Sequence, residues 1–307
     1  YLNIPQKEVH PGQLVTVCIK AVNRHVIFLG KQQFQIGVAY LNTPGNEKEM
    51  LQCDGVTEKV QQTMAEFSPK HCGIAQIDIE KVFLQDYLGL IGTQKNFRGS
   101  CQLAVLPEPV LSTRIRTGME KQQEYRYSAV ADDDSDILDL RAFRPGDNLN
   151  HIHWNLSLRT DDLIVRQYGE QIDVKKVILV DLSILNTAQY RSRMDAVYTA
   201  VASIANLYVE NEVNTLILAW NGQKQSAEYL EVHDRTELNR AMIRLMQIPC
   251  SSRAGEHAAA VYLKDIEAQG QQALFVTAGS YENNKVRIVN VEKIQLQELI
   301  DELWEKI

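Results

Sequence analysis

The sequence predicts a doubly wound α/β domain in its C-terminal half, preceded by an all-β, sandwich-like domain. Three observations carry this. From residue 137 onward, apolar strands and amphipathic helices alternate, the order of parts that builds a parallel sheet with covering helices. One of those strands, VKKVILVDLSI at Val174–Ile184, is a continuous apolar run, as expected when both faces of a strand are covered. Residues 1–110 instead hold short alternating strands separated by Gly, Pro and Asn, the pattern of a small sandwich with one apolar face per strand. The partition is therefore residues 1–110, a connector at 111–136, and an α/β domain at 137–307.

In order along the chain, strands are predicted at Gly12–Val22, Gln33–Leu41, Gly73–Asp86 and Arg98–Glu108. Turn signals such as Thr43-Pro44-Gly45-Asn46 fall between them. The connector is polar and lacks apolar periodicity, and its Asp132, Asp133, Asp134 and Asp136 read as a solvated acidic run. After the Val174–Ile184 strand, Arg193–Val209 places Met194, Val197, Val201, Ile204, Ala205 and Tyr208 at helical spacing. A strand at Val213–Gly222 follows, then a helix at Thr236–Met246 with Asp234 or Thr236 as its cap. A helix at Gly255–Gln269, strands at Gln272–Ser280 and Lys285–Val291, and a final helix at Leu296–Ile307 complete the reading.

The stretch LDLRAFRPGDNLNHIHWNLSLRTDDLIVRQY, Leu138–Tyr168, is the most distinctive part of the chain. Arg144-Pro145-Gly146-Asp147 suits a type II turn, because Pro presets φ and Gly accepts positive φ. Arg141, Arg144, Arg159 and Arg166 stand beside Asp139, Asp147, Asp161 and Asp162. They form either a local ion-pair network or a partner-docking surface of bidentate arginines. Trp154 follows Ile152 at alternate spacing, so one of the two is expected to face the interior. This run, with Arg141, Gly146, Asp147, Trp154 and Arg159 as its signature, resembles the bacterial domain-of-unknown-function family fifty-eight. Asp86-Tyr87-Leu88-Gly89-Leu90 is similar to a second element of that family. The resemblance implies a von Willebrand factor A-like (Rossmann-like) C-terminal domain.

It also implies a test of chemistry. In von Willebrand A domains a divalent cation is held at the carboxyl end of the sheet by D-x-S-x-S, a threonine and a later aspartate. Here Asp181 and Ser183 match the first two positions, but Leu185 replaces the second serine and Ala278 stands where the later aspartate belongs. Ser251 and Ser252 are the only hydroxyls of the loop where the threonine is expected. Mg²⁺ wants near-octahedral oxygen ligation, so the site reads as degenerate, with no metal and no cofactor, and Asp181 and Ser183 as loop and helix caps. His151 and His153 share a strand face without a tied carboxylate. No P-loop, G-x-G-x-x-G, G-x-S-x-G or H-E-x-x-H occurs.

A net charge of -7 without a basic cluster argues against nucleic acid as partner. Cys18, Cys53, Cys72, Cys101 and Cys250 are odd in number and form no C-x-x-C; free thiols favour a reducing, cytoplasmic face. The chain opens on Tyr1 rather than Met, so it reads as an excised piece, and the resemblance implies membrane-spanning helices before it. The expected function is a non-enzymatic interaction or adaptor protein, anchored at the cell membrane and working with a MoxR-type AAA ATPase, a partner implied by the resemblance alone. The alternative is a metal-dependent ligand-binding or adhesion domain. A hydrolase using Asp181 or the His151/His153 pair is the remaining class.

Overall fold

A computed structural model describes residues 1–22, 29–41, 48–56, 60–97, 99–113, 137–144, 152–160, 162–168, 175–183, 189–251, 253–265, 273–279, 281 and 286–306. The acidic run at Asp132–Asp136, the Gly146 and Asp147 turn, His151, Leu185 and Ser252 lie outside the described residues.

Nine strands come first: β1 (Leu2–Asn3), β2 (Glu8–Val9), β3 (Val15–Val22), β4 (Leu29–Tyr40), β5 (Glu49–Val56), β6 (Val60–Phe67), β7 (Gly73–Asp86), β8 (Gly92–Lys95) and β9 (Ser100–Val105). β10 (Ile137–Ala142), α1 (Trp154–Thr160) and β11 (Ile164–Tyr168) follow. The remainder is β12 (Lys176–Val180), α2 (Tyr190–Glu210), β13 (Thr215–Asn221), β14 (Ser226–Val232), α3 (Arg235–Gln247), α4 (Ala254–Asp265), β15 (Ala273–Thr277), β16 (Arg287–Asn290) and α5 (Leu296–Glu305). Contacts group residues 1–115 with 175–307 as one compact unit and 116–174 as a second.

In the first unit, β1-β3-β6 form one sheet and β2-β9-β7-β4-β5 another, with β8 added along β7. Their facing residues share a core: Val15, Val17 and Ile19 from β3 meet Phe34, Ile36, Val38, Ala75, Ile77, Ile79 and Leu103. Alternation with period two is what puts these side chains on one face. The expectation of a single apolar face is corrected, because Ile74, Ala104 and Leu106 are buried in a different core with α2 and α3 residues.

A third sheet has the order β14-β13-β12-β15-β16. β12 pairs in parallel with β13 and β15, and β15 with β16, whereas β14 runs antiparallel to β13. Ile178, Val180, Ile217, Ala219, Leu274 and Val276 pack with α2, α3 and α5. Val177, Leu179, Leu216, Leu218 and Phe275 pack with Ala258 and Tyr262 of α4.

The doubly wound α/β expectation, von Willebrand A-like or Rossmann-like, is overturned. The described residues form sixteen strands in four sheets against five helices, so the chain is predominantly β. The sheet carrying Val174–Ile184 is mixed rather than parallel. The sequence misled because SAEYLEV, now β14, has mixed polarity and went unread; a hairpin with β13 stands where strand–helix alternation suggested a crossover. Helix α2 itself agrees with its periodicity, with Met194, Val197, Val201, Ile204, Ala205 and Tyr208 all buried. The described part of the second unit is a two-stranded antiparallel sheet, β10-β11, with α1 between them in sequence.

Candidate functional site

The carboxyl end of β12 places Asp181 one residue beyond Val180, which pairs with Val276 of β15. That register brings Asp181 beside Thr277, whose hydroxyl donates to Asp181 Oδ2 at 2.6 Å. Asp181 Oδ1 accepts the Ser183 amide at 3.0 Å, and the Asp181 amide donates to the Val276 carbonyl at 2.9 Å. Ser183 Oγ accepts the Gly255 amide in the first turn of α4 at 3.2 Å. A Cβ on Gly255 would meet the Asp181 carboxylate at 2.5 Å, so only glycine lets the helix approach this closely. Ser183 also bridges Ser251 in a parallel pairing. One loop after the next strand, Gly222 packs so tightly on Ser251 that a Cβ there would collide with its side chain.

The oxygens at this sheet end bond one another. A divalent cation needs several oxygen ligands in near-octahedral array, a carboxylate or two among them; here Asp181 is the single carboxylate beside Ser183, Thr277 and Ser251, each of its oxygens already accepts one hydrogen bond, and buried Ala278 supplies none. So sparse a donor set does not fit the cation that the sequence motif suggests. The capping expectation is met only in the loop, since Asp181 accepts the Ser183 amide while the helix that follows, α2, has no side-chain cap. Thr277 was the partner that sequence reasoning missed, since only the β12–β15 register reveals it.

Deeper, the Tyr190 side chain hydrogen-bonds Cys250, and burial pushes both groups above their ordinary pKa values. The remaining perturbed thiols behave alike. Burial raises Cys72 to about 12, and Cys53 and Cys101 to about 11, so all three stay protonated near neutrality.

A second cluster lies where the turn before β7 meets α2. Asp195 accepts His71 Nδ1 at 2.6 Å and the Cys72 amide at 2.7 Å. Burial nevertheless holds the Asp195 carboxyl above its usual range, with His71 and Cys72 pulling the other way. Arg191 lies over the Tyr40 ring, 5.5 Å from its centre. The cavity here is about 30 Å³, room for a water or two and not for an organic substrate. The cluster is a fastener.

The signature run is divided by the structure. β10 carries Asp139 and Arg141, whose side chains lie outside the described residues, as do Gly146 and Asp147. Ile152 bridges Val165 and is buried. His153 begins α1 differently from the strand-face expectation: its carbonyl accepts the Ser157 amide at 2.9 Å, and its Nδ1 accepts the Leu156 amide at 3.3 Å. The side chains now follow helical spacing, and Trp154 is 58% exposed and Leu158 79% exposed. Leu163 and Arg159 are exposed as well. Of the pair of which one was expected to face the interior, Ile152 is the buried member and Trp154 the exposed one. Among the described residues no group of three or more His, Cys, Asp or Glu side chains is arranged to hold a metal ion.

Comparison with protein families matches residues 139–286 to the family described as "Protein of unknown function DUF58". No curated protein is significantly similar to the chain. Of solved structures, the CARDB domain of the PF1109 protein from Pyrococcus furiosus, in complex with di-metal ions, is 9% identical over 34% of this chain and 84% of that one, with a TM-score of 0.22. Alkylpurine DNA glycosylase AlkC of Pseudomonas fluorescens, bound to DNA containing an abasic site analog, is 10% identical over 34% of this chain and 29% of that one, with a TM-score of 0.25. Scores this low carry no conclusion about fold or activity.

Proposed function

The chain is a member of the DUF58 family over residues 139–286, a family of unknown function, and from that premise we propose that it is a non-enzymatic protein–protein interaction module. In this reading it is an adaptor for a MoxR-type AAA ATPase that works at the cell membrane. The observation that supports it is the surface of α1. Trp154 and Leu158 are exposed on that helix, and Leu163 between α1 and β11, all within the family-matched segment, with the Arg159 cation next in sequence to Leu158. Tryptophan and arginine are the side chains that most often dominate binding energy at interfaces, and clustered exposed apolar residues mark interaction sites. A fold gains nothing from displaying a tryptophan to water, so a partner that covers it explains its position. The non-enzymatic part is supported by an Asp181 whose oxygens serve Thr277 and Ser183, and by thiols held protonated by burial. No helix among the described residues is long and apolar enough to cross a membrane.

The experiment is a pull-down of a MoxR-type AAA ATPase, using the whole chain and a Trp154→Ala/Leu158→Ser variant. Capture is expected to fall at least about tenfold in the variant, as for an interface hot spot, with the thermal midpoint unchanged. Equal capture by both proteins would remove the adaptor role from this surface.

A further inference from the structure

The turn joining β7 to β8 exposes four large apolar side chains in five residues. Tyr87, Leu88, Leu90 and Ile91 are 72% to 82% exposed. Soluble proteins rarely leave so compact an apolar cluster uncovered. The turn is nevertheless well made. The Asp86 amide donates to the Ile91 carbonyl at 3.0 Å, the Gly89 amide to the Asp86 carbonyl at 3.1 Å, and the Ile91 amide to the Asp86 carboxylate at 3.0 Å. Gly89 takes the positive φ of 69° that the reversal requires. The base is seated on β4, where a Cβ on Gly30 would collide with the Asp86 carbonyl.

We propose that this tip, residues 86–91, is a lipid-inserting finger that sinks Tyr87, Leu88, Leu90 and Ile91 into the interfacial layer of a phospholipid bilayer. Three features select lipid over a protein partner. Both arms of the turn are apolar, so the tip has no single docking face; a bilayer receives the whole of it. Three of its amides are satisfied within the turn, two by main-chain carbonyls and one by the Asp86 carboxylate, which lowers the cost of a low-dielectric surrounding. Behind the tip the exposed residues are mainly polar. Gly92, Thr93, Gln94 and Lys95 of β8 are all exposed, as are Lys81 and Gln85 of β7, with Phe83 38% exposed between the last two. Lys81 and Lys95 are the cations that would meet lipid phosphates, and Tyr87 is a residue type favoured at the headgroup level. Lys31 adds no net charge, because Asp54 pairs with it at 3.0 Å. The proposal is independent of the adaptor reading, which concerns α1.

The test is flotation of the whole chain with vesicles of phosphatidylcholine alone and of phosphatidylcholine with phosphatidylserine. The wild-type chain is expected to float with both, and more strongly with the anionic mixture. Leu88→Asp/Leu90→Asp should lower partitioning at least about tenfold without moving the thermal midpoint, and Lys81→Gln/Lys95→Gln should erase the anionic preference. A Tyr87→Trp variant gives a second readout: its added fluorescence should shift to the blue with vesicles and be quenched by brominated acyl chains. Wild-type chain left unbound by both vesicles, double variant floating equally well, or unaltered Tyr87→Trp emission would each overturn the proposal. So would a dimer of the wild-type chain, without lipid binding, that Leu88→Asp/Leu90→Asp converts to monomer, since the tip would then serve self-association.

Discussion

Adjacent residues of this chain differ sharply in what they contribute, and Ile152 and Trp154 show why. Ile152 bridges Val165; at Trp154 the chain becomes helical, so the alternation that would have placed the tryptophan no longer applies. The sequence showed that one of the two faces inward, but the choice depended on a helix start two residues away. Ile152→Ala should therefore cost about 2–5 kcal/mol as a buried truncation, whereas Trp154→Ala should stay within about 0.5 kcal/mol, as surface changes do. Urea midpoints with unchanged slopes would check both values. At the end of β12, Thr277 is fully buried and its hydroxyl both donates to Asp181 and accepts the Gly279 amide. Thr277→Val keeps the shape but leaves those partners unsatisfied, at a cost of about 1–3 kcal/mol. A variant as stable as wild type would show that Asp181 finds another donor. Asp181 and Ser183 were legible as a motif; their real partners came from strand register, which no local pattern encodes.

Elements were legible where apolar residues fill most of their buried positions. Helix α2 buries a mainly apolar face and was read nearly to its ends, whereas β6 alternates regularly but buries Thr63 and Ala65 beside Phe67 and was missed. Strands β5 and β14 carry exposed charges along with their buried residues, and they were missed. Helix α3 shows a cap that the sequence did anticipate: Asp234 accepts the Glu237 amide at 2.8 Å and the Thr236 hydroxyl at 2.6 Å. Those bonds, the hydroxyl's first, hold the Asp234 carboxyl below its usual range. A depressed folded-state pKa means that the cap stabilises above the unfolded value of 3.8 and that this contribution is lost as pH falls through the folded value. Asp234→Ala should lower the thermal midpoint at pH 7, and the gap from wild type should narrow by pH 2. A gap that stays constant across that range would mean the carboxylate charge plays no part in the cap.

At the scale of the whole molecule, the sequence divided the chain at residues 110 and 137, while contacts join 1–115 to 175–307. The signal for that union was present. Leu103, Ala104, Val105 and Leu106 form an unbroken apolar run, and Ile74-Ala75 breaks the alternation of β7; continuous apolar runs imply burial on both faces. Val105 and Ala75 enter the core between the first two sheets, whereas Ala104, Leu106 and Ile74 enter the core with α2 and α3. Polar fasteners add to this. Ser203 Oγ accepts the Val110 amide at 2.9 Å, and the Asp301 carboxylate accepts the Ser112 and Thr113 hydroxyls, both at 2.8 Å. Asp195 adds a pH dependence of the opposite sense to Asp234: its raised carboxyl pKa means that stability falls as pH rises above 3.8 toward the folded value. If the two stretches share one core, residues 175–307 produced alone should expose the Tyr198 and Met246 side of α2 and α3, which lies beside Tyr40, Cys72 and Gly73, and unfold without a sharp transition. Replacing residues 116–174 by a flexible glycine–serine linker long enough to join 115 to 175 should instead preserve one cooperative transition, because among the described residues the cores of the first unit are built from 1–115 and 175–307. Calorimetry decides between the two divisions. A fragment of residues 1–110 that melts cooperatively at the midpoint of the whole chain would restore the boundary read from sequence, and would mean that the buried contacts of Ile74, Ala104 and Leu106 add area without adding cooperativity.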